Sequence, residues 1–453
     1  MKSKNAWLLV AAVAAFSAGC GDDSSGTAGT AGTAGTAGTA GTAGTAGTGG
    51  TTVTDVNVTD NVSADTTWTN DHTYILKNEI YVTGGTLTIQ EGTQVLGDNG
   101  SALIVTKAGK INAVGTSSNP VVFSSSNPVG GRSPGDWGGV VLLGSASLSW
   151  GNADCDGTVG ECVANIEGLA PTESEGLYGG NDDTDDCGTL QYVRIEYAGY
   201  VFGMDNELNG LTLGGCGSDT TLSYIQIHRG LDDGVEFFGG TATIDHLVVT
   251  GPGDDGLDWD QGWRGAATDL IVHHFAPSSS DPRGIEADNY SANNTVEPRS
   301  NPTVTNATIV ADPAATTDRG VVLRRGTLGT LNNIVVMDFT KPGIDIRDDA
   351  ANLFWGTDLI VENSYFWHNG SDGAGGYEEY DTDSGGDNDG GFDEAAALAA
   401  PALNNSTTTD PGIGDISGAI TGGTPNYSLT VAGAGAFADG TDWTTGWTSY
   451  PTN

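Results

Sequence analysis

Positive charge is what this sequence has least of. Its 453 residues include 16 Lys and Arg against 58 Asp and Glu, a formal net charge of −42 at pH 7. Nucleic acids and anionic bilayers are captured mainly through Lys and Arg, so this balance repels both and excludes a nucleic-acid partner. Charged residues of either sign make up only 16%, whereas glycines number 71. That combination departs from a helical or α/β cytosolic enzyme and fits a turn-rich, all-β exported protein. Long apolar runs are also missing, and the stretch from Ala6 to Phe16 is too short to span a bilayer. An acidic disordered chain is excluded in turn, because 37% of the residues are hydrophobic and they recur in strand-like patterns.

The apolar stretch follows Lys2 and Lys4 and precedes the small residues Ser17, Ala18 and Gly19, then Cys20. This resembles a bacterial lipoprotein signal. Residues 1–20 are therefore expected to be a signal peptide, with Cys20 lipidated and the protein exported to the outer membrane or cell surface. Residues 21–52 are Ser, Gly, Thr and Ala for the most part, with seven GTA triplets from Gly26 to Ala46. They can form no core and are expected to be a flexible tether spanning ~30 Å. Four further cysteines, an even number in an exported chain, imply two disulfides. Three pairings are open. Cys155 with Cys162 in one loop, and Cys187 with Cys216 flanking one turn of the repeat below, is the preferred set; a zinc site lacks a CxxC pair.

What the chain does have is a repeat. A glycine followed by apolar-x-apolar recurs at Gly210, Gly234, Gly256, Gly284, Gly320 and Gly343, spaced 24, 22, 28, 36 and 23 residues apart. Each unit carries a second short β-rich run, such as Tyr224-IQI, His246-LVV or Asn333-IVV, and no helical pattern intervenes. Such spacing predicts a right-handed parallel β-helix with one coil per unit; a propeller needs about 40–50 residues per blade. Strand alternation turns Leu211, Val235, Leu257, Ile285, Val321 and Ile344 inward, together with Leu213, Phe237, Trp259, Ala287, Leu323 and Ile346. The β-helix is expected over 53–366. Residues 367–453 are expected to form an acidic loop, a short helix capped by Asp393, and the C-terminal cap of the coil, with Trp443 and Trp447 in that cap.

At this point the sequence resembles a known family. GTLTIQEGTQVLG and GDWGGVVLLG in the N-terminal third, then GTLQYVRIEYAG, NGLTLGGCG, DDGVEFFGG, GIEADN, LRRGT and the closing GAFADGTDWTTGWTSY, are similar to exported right-handed β-helix proteins. These are largely uncharacterised bacterial surface or outer-membrane lipoproteins on a pectate-lyase-like scaffold. The resemblance runs from about Val53 to the last residue. It implies the fold and the compartment, and says little about activity.

Equivalent positions of neighbouring coils stack ~4.8 Å apart, so a column of like residues becomes a cluster in space. Two places after each repeat glycine, on the outward face, stand Thr212, Glu236, Asp258, Glu286, Val322 and Asp345; four places after it, Asp260, Asp288, Arg324 and Arg347 occur. The preceding turns add Asp232, Asp233, Asp254, Asp255 and Arg283. Carboxylates at this spacing need compensation. Calcium is one candidate, held by Asp233, Glu236, Asp255, Asp258, Asp260, Glu286 and Asp288, because a hard cation takes six to eight oxygens. Catalysis is another, with Asp258, Asp260 and Glu286 as the acid and base of a glycoside hydrolase. A solvated acidic face is the third. Arg324 and Arg347 border the array as candidate ligand-binding residues. PGDDG at Pro252–Gly256 resembles the paired aspartates of polygalacturonase-like hydrolases, but neither their GHG nor their RxK segment is present, nor the RxPxxR pattern of pectate lyases. The six histidines lack HExxH spacing and read as structural. Trp137, Trp150, Trp263, Trp355 and Trp367 could offer faces to sugar rings. The acidic run from Asp381 to Glu394 lacks the fixed spacing of a calcium loop. The function expected is a cation-dependent glycan-binding or adhesion module, lipid-anchored at the surface, with a polysaccharide or cell-surface glycan as partner. The alternative is a polysaccharide-active hydrolase or lyase.

Overall fold

The structure is a computed structural model that describes residues 53–149, 162–169, 174–203, 206–277, 279, 281–348, 354–370 and 391–453. The signal peptide, the tether, Trp150, Cys155 and most of the acidic run lie outside the described residues.

Glycine followed by alternating apolar residues folds as read. Two parallel sheets, of nine and fifteen strands, wind around a common axis as a right-handed parallel β-helix. The nine-stranded sheet stacks Glu79–Val82, Ala102–Val105, Val140–Leu143, Leu211–Gly214, Val235–Phe238, Leu257–Asp260, Ile285–Ala287, Val321–Leu323 and Ile344–Ile346 in chain order. Its register pairs Leu211 with Val235, Val235 with Leu257, Leu257 with Ile285 and Ile285 with Val321. Every one of the twelve inward side chains read from the repeat is 0% exposed. Gly256 explains the repeat glycine, since a Cβ there would lie 2.3 Å from a Val272 methyl and 2.7 Å from the Gly284 carbonyl of the next coil. The close approach of successive corners leaves no room for a side chain.

The fifteen-stranded sheet holds the second run of each unit. In the later coils that run is one long strand, as in Gly188–Glu196, Thr221–His228 and Thr303–Ala311, bent where a residue takes a left-handed conformation. Asp269, Asn306 and Asn333 fill the bend in three coils, with Asn306 Nδ2 donating to Asp269 and Asn333 Nδ2 donating to Asn306, both at 2.9 Å. Asn and Asp tolerate this region best. Tyr192, Tyr224 and His246 occupy it in earlier coils and stack face to face, with ring centroids 4.4 and 4.2 Å apart.

Two excursions matter for the site. The chain after Leu143 covers the outer face of the first strands of the nine-stranded sheet, packing Leu148, Ala164, Ile166, Leu169 and Tyr178 on Ile104, Val141 and Leu143. At the far end Asp393 caps a helix, Glu394–Leu398, whose Leu398 is buried in the main core and whose Glu394 accepts from the Ile346 amide. This helix lies against the last coil. Residues 411–453 run instead along the flank: Trp447 meets Tyr192 and Tyr224 edge-on, Trp443 meets His246, and Pro451 O accepts from Tyr197 and His228. The outward side of the long sheet carries an apolar stripe, Val248, Ile271, Val310 and Val335, and these residues cover it. Trp137 and Trp263 are 0% exposed core residues, so neither offers a face to a sugar.

Cys187 and Cys216 form a disulfide between Cα atoms 5.8 Å apart. Cys162 is disulfide-bonded as well.

Candidate functional site

The outward column reads Thr212, Glu236, Asp258, Glu286, Val322 and Asp345 in register across six neighbouring strands. A second column, one place before each repeat glycine, runs Asn209, Asp233, Asp255, Arg283, Arg319. Glu236, Asp258 and Glu286 of the first column and Asn209, Asp233 and Asp255 of the second line an open cleft of about 300 Å³, together with Glu167 of the excursion after Leu143, Glu207 of the loop before Leu211, and the turn residues Asp232 and Asp254.

The second column changes from acid to base at Arg283, and the face divides there. Arg283 bonds Asp255 Oδ2 at 3.4 Å, Glu286 Oε2 at 2.5 Å and Asp281 at 2.6 Å. Arg324 pairs with Glu286 and, at 2.8 Å, with Asp288, which Arg325 also reaches at 2.6 Å. Arg319 and Arg347 hold Asp345, and Lys341 and Arg319 hold Asp318. In this half six carboxylates (Asp255, Asp281, Glu286, Asp288, Asp318, Asp345) meet six cations (Arg283, Arg319, Arg324, Arg325, Lys341, Arg347). Such pairs satisfy buried charge internally. Glu286 is held at both oxygens by guanidinium groups, Oε2 by Arg283 and Oε1 by Arg324.

The other half has no such compensation. Of the nine carboxylates lining the cleft, seven form no ion pair with a described residue: Asp232, Asp233, Glu236, Asp254 and Asp258 from the coils, Glu167 from the excursion after Leu143 and Glu207 from the loop before Leu211. Asp233 accepts from the Asp255 amide at 2.8 Å, and Glu236 accepts from Asn209 Nδ2 at 2.7 Å. Asp258 Oδ1 and Asp254 Oδ1 are enclosed without a hydrogen-bond donor. Burial, reinforced by neighbouring carboxylates, holds Asp233, Glu236 and Asp258 well above the ordinary range and lifts Asp232 to about 8. Burial also lifts Asp260 to about 6, against the opposing pull of the Gln261 amide that its carboxylate accepts at 2.6 Å.

Of the sequence-derived metal candidates, then, Asp233, Glu236 and Asp258 come together with oxygens free of cations, Asp255, Glu286 and Asp288 are engaged by arginine, and Asp260 stands outside the cleft lining. Arg324 and Arg347, read as ligand-binding, are engaged by the protein's own carboxylates. Three carboxylate triplets each bring one oxygen per residue within 4.8 Å of the others: Asp232–Asp233–Asp254, Asp233–Glu236–Asp258 and Asp255–Asp258–Glu286. Sequence reading missed Glu167 and Glu207, which belong to no repeat, and Asn209, whose signal was its place at the head of the column before the glycines.

The histidines follow a structural pattern. His228 sits between Thr250 Oγ1 at 2.7 Å and Pro451 O at 2.9 Å, and His274 Nε2 reaches Arg283 O at 2.7 Å. Burial depresses His228 and His273 to about 3 and His274 to about 4, so all three are neutral.

A parallel coil presenting a polar cleft on the outside of one sheet defines the class: an all-β solenoid with a lateral surface site. Comparison with known families agrees. The model of the pectate-lyase-like beta helix domain matches residues 60–448, most of the chain, which therefore belongs to that family. No curated protein and no solved structure matches it.

Proposed function

We propose that the protein is a lipid-anchored surface module that binds glycans or mediates adhesion in a cation-dependent way through the acidic cleft. The observation that carries this reading is the division of the face. The same sheet neutralises its carboxylates with arginines in one half and leaves seven unpaired around an open cleft in the other. Calcium suits those oxygens, and an open cleft leaves part of its coordination shell to water or to sugar hydroxyls. Affinity columns of polysaccharides or intact cells test the idea. Retention in calcium, release by chelator and no rise in reducing ends are expected. Reducing ends or unsaturated products would instead establish the hydrolase or lyase, with Asp258 and Asp260 as its first candidates.

The anchor is tested separately. Cys20→Ser is expected to move the protein from the detergent phase to the aqueous phase, because the described residues contain no helix long and apolar enough to cross a membrane. A variant that still partitions with detergent would refute the lipid at Cys20.

A further inference from the structure

We propose that the unpaired half of the face is a two-cation centre. One divalent cation lies among Asp232, Asp233 and Asp254 and a second among Asp233, Glu236 and Asp258, with the Asp233 carboxylate shared. The inference rests on the cation-dependent reading and adds its number and its ligands.

Three observations support it. First, the triplets are distinct in origin: Asp232 and Asp254 come from the turns before the repeat glycines, Glu236 and Asp258 from the strands after them, and only Asp233 belongs to both. The third triplet is excluded because Arg283 already bonds both Asp255 and Glu286. Second, Asn209 lines the cleft and is 1% exposed, its Nδ2 donates to Glu236, and its Oδ1 is enclosed with no donor. Glu236, Glu167 and Thr212 are all partners of its Nδ2, so the carbonyl oxygen is left without a donor, and a hard cation satisfies such an oxygen. Third, the ligand count favours two ions: a cation in either triplet leaves two carboxylates of the other without one, although each triplet brings an oxygen from all three residues within 4.8 Å.

Isothermal titration of the full chain with calcium alone reads the stoichiometry. Two ions per chain are expected. Asp232→Asn and Asp258→Asn are each expected to lose one, Asp233→Asn both, and Asp345→Asn, in the arginine half, neither. Should an Asn variant fail to fold, wild-type crystals soaked in terbium provide the second measurement, with two anomalous peaks sharing Asp233. A single ion with Asp232→Asn silent, or a single peak, overturns the pair while leaving a cation site in place. No calcium heat and no peak in the folded protein overturns the pair and the cation-dependent reading together.

Discussion

Leu257→Asp is expected to abolish cooperative folding. Leu257 is 0% exposed and sits in register between Val235 and Ile285, in the middle of the inward column. Losing its apolar burial removes about 1.5–3 kcal/mol, and enclosing a carboxylate with no partner adds several more. The sum approaches the whole stability of an ordinary domain, about 5–15 kcal/mol. The substitution also acts on both neighbouring coils at once, because a solenoid is held together by contacts between successive repeats. Leu257→Ala, which only opens a cavity, is expected to cost about 2–5 kcal/mol and to keep a cooperative melt. Far-UV circular dichroism with thermal melting distinguishes them. An Asp variant that melts within about 1 kcal/mol of wild type would reverse the inward and outward faces.

Those faces were legible because a strand has a period of two and the glycine fixes the phase of every coil. From Leu211 to Ile346 the repeat therefore gave both the coil and its core. The periodic part of the acidic face was equally readable, since Glu236, Asp258 and Glu286 stack as the register requires. Solvation was not. Thr212 and Val322 point outward but are 0% exposed. Tertiary cover over an outward face leaves no trace in strand alternation, and neither does the partner of a charged side chain. Arg283 stands three residues before Glu286 in sequence, but its bonds to Asp255, across the corner, and to Asp318 depend on how the turns fold. Glu167 and Glu207 were invisible for a related reason: they reach the cleft from an excursion and a loop whose paths no repeat dictates. The C-terminal segment shows the same limit. Its aromatics announced packing, but the surface they would pack on, the stripe of Val248, Ile271, Val310 and Val335, became apparent only once the long strands were stacked.

Without cations, the protein is expected to lose stability as pH rises from about 6.5 to 8.5, and millimolar calcium is expected to remove most of that loss. Asp232 has a folded-state value of about 8 against an ordinary 3.8. Between those values the folded chain holds a proton that the unfolded chain has released, so stability falls as pH rises through the window and the loss is complete above it. Asp260, at about 6, contributes the same sign lower down, and Asp288, lifted by burial to about 7 in the arginine half, contributes it inside the window and is the part calcium leaves in place. The buried histidines act in the opposite direction, but only in acid. His228, His273 and His274 stay neutral in the fold to about 3–4, so their penalty grows as pH falls below the ordinary 6.5. The interval above 6.5 therefore isolates the carboxylates, with a slope on the order of 1 kcal/mol per pH unit. Calcium binds the assembled cleft and hardly the separated residues of the unfolded chain. At a hundredfold excess over its dissociation constant it adds about 2.7 kcal/mol for each site. It also favours the ionised carboxylates, which flattens the pH dependence. Denaturant titrations at pH 6.5, 7.5 and 8.5, in chelator and in calcium, give both quantities. Asp258→Asn should raise stability in chelator, because the fold no longer has to protonate a buried carboxyl that the unfolded chain ionises, and should reduce the gain from calcium. A pH slope of the same size with and without calcium would detach the cation from these carboxylates, and stability rising with pH in chelator would show that the cleft is ionised and already compensated.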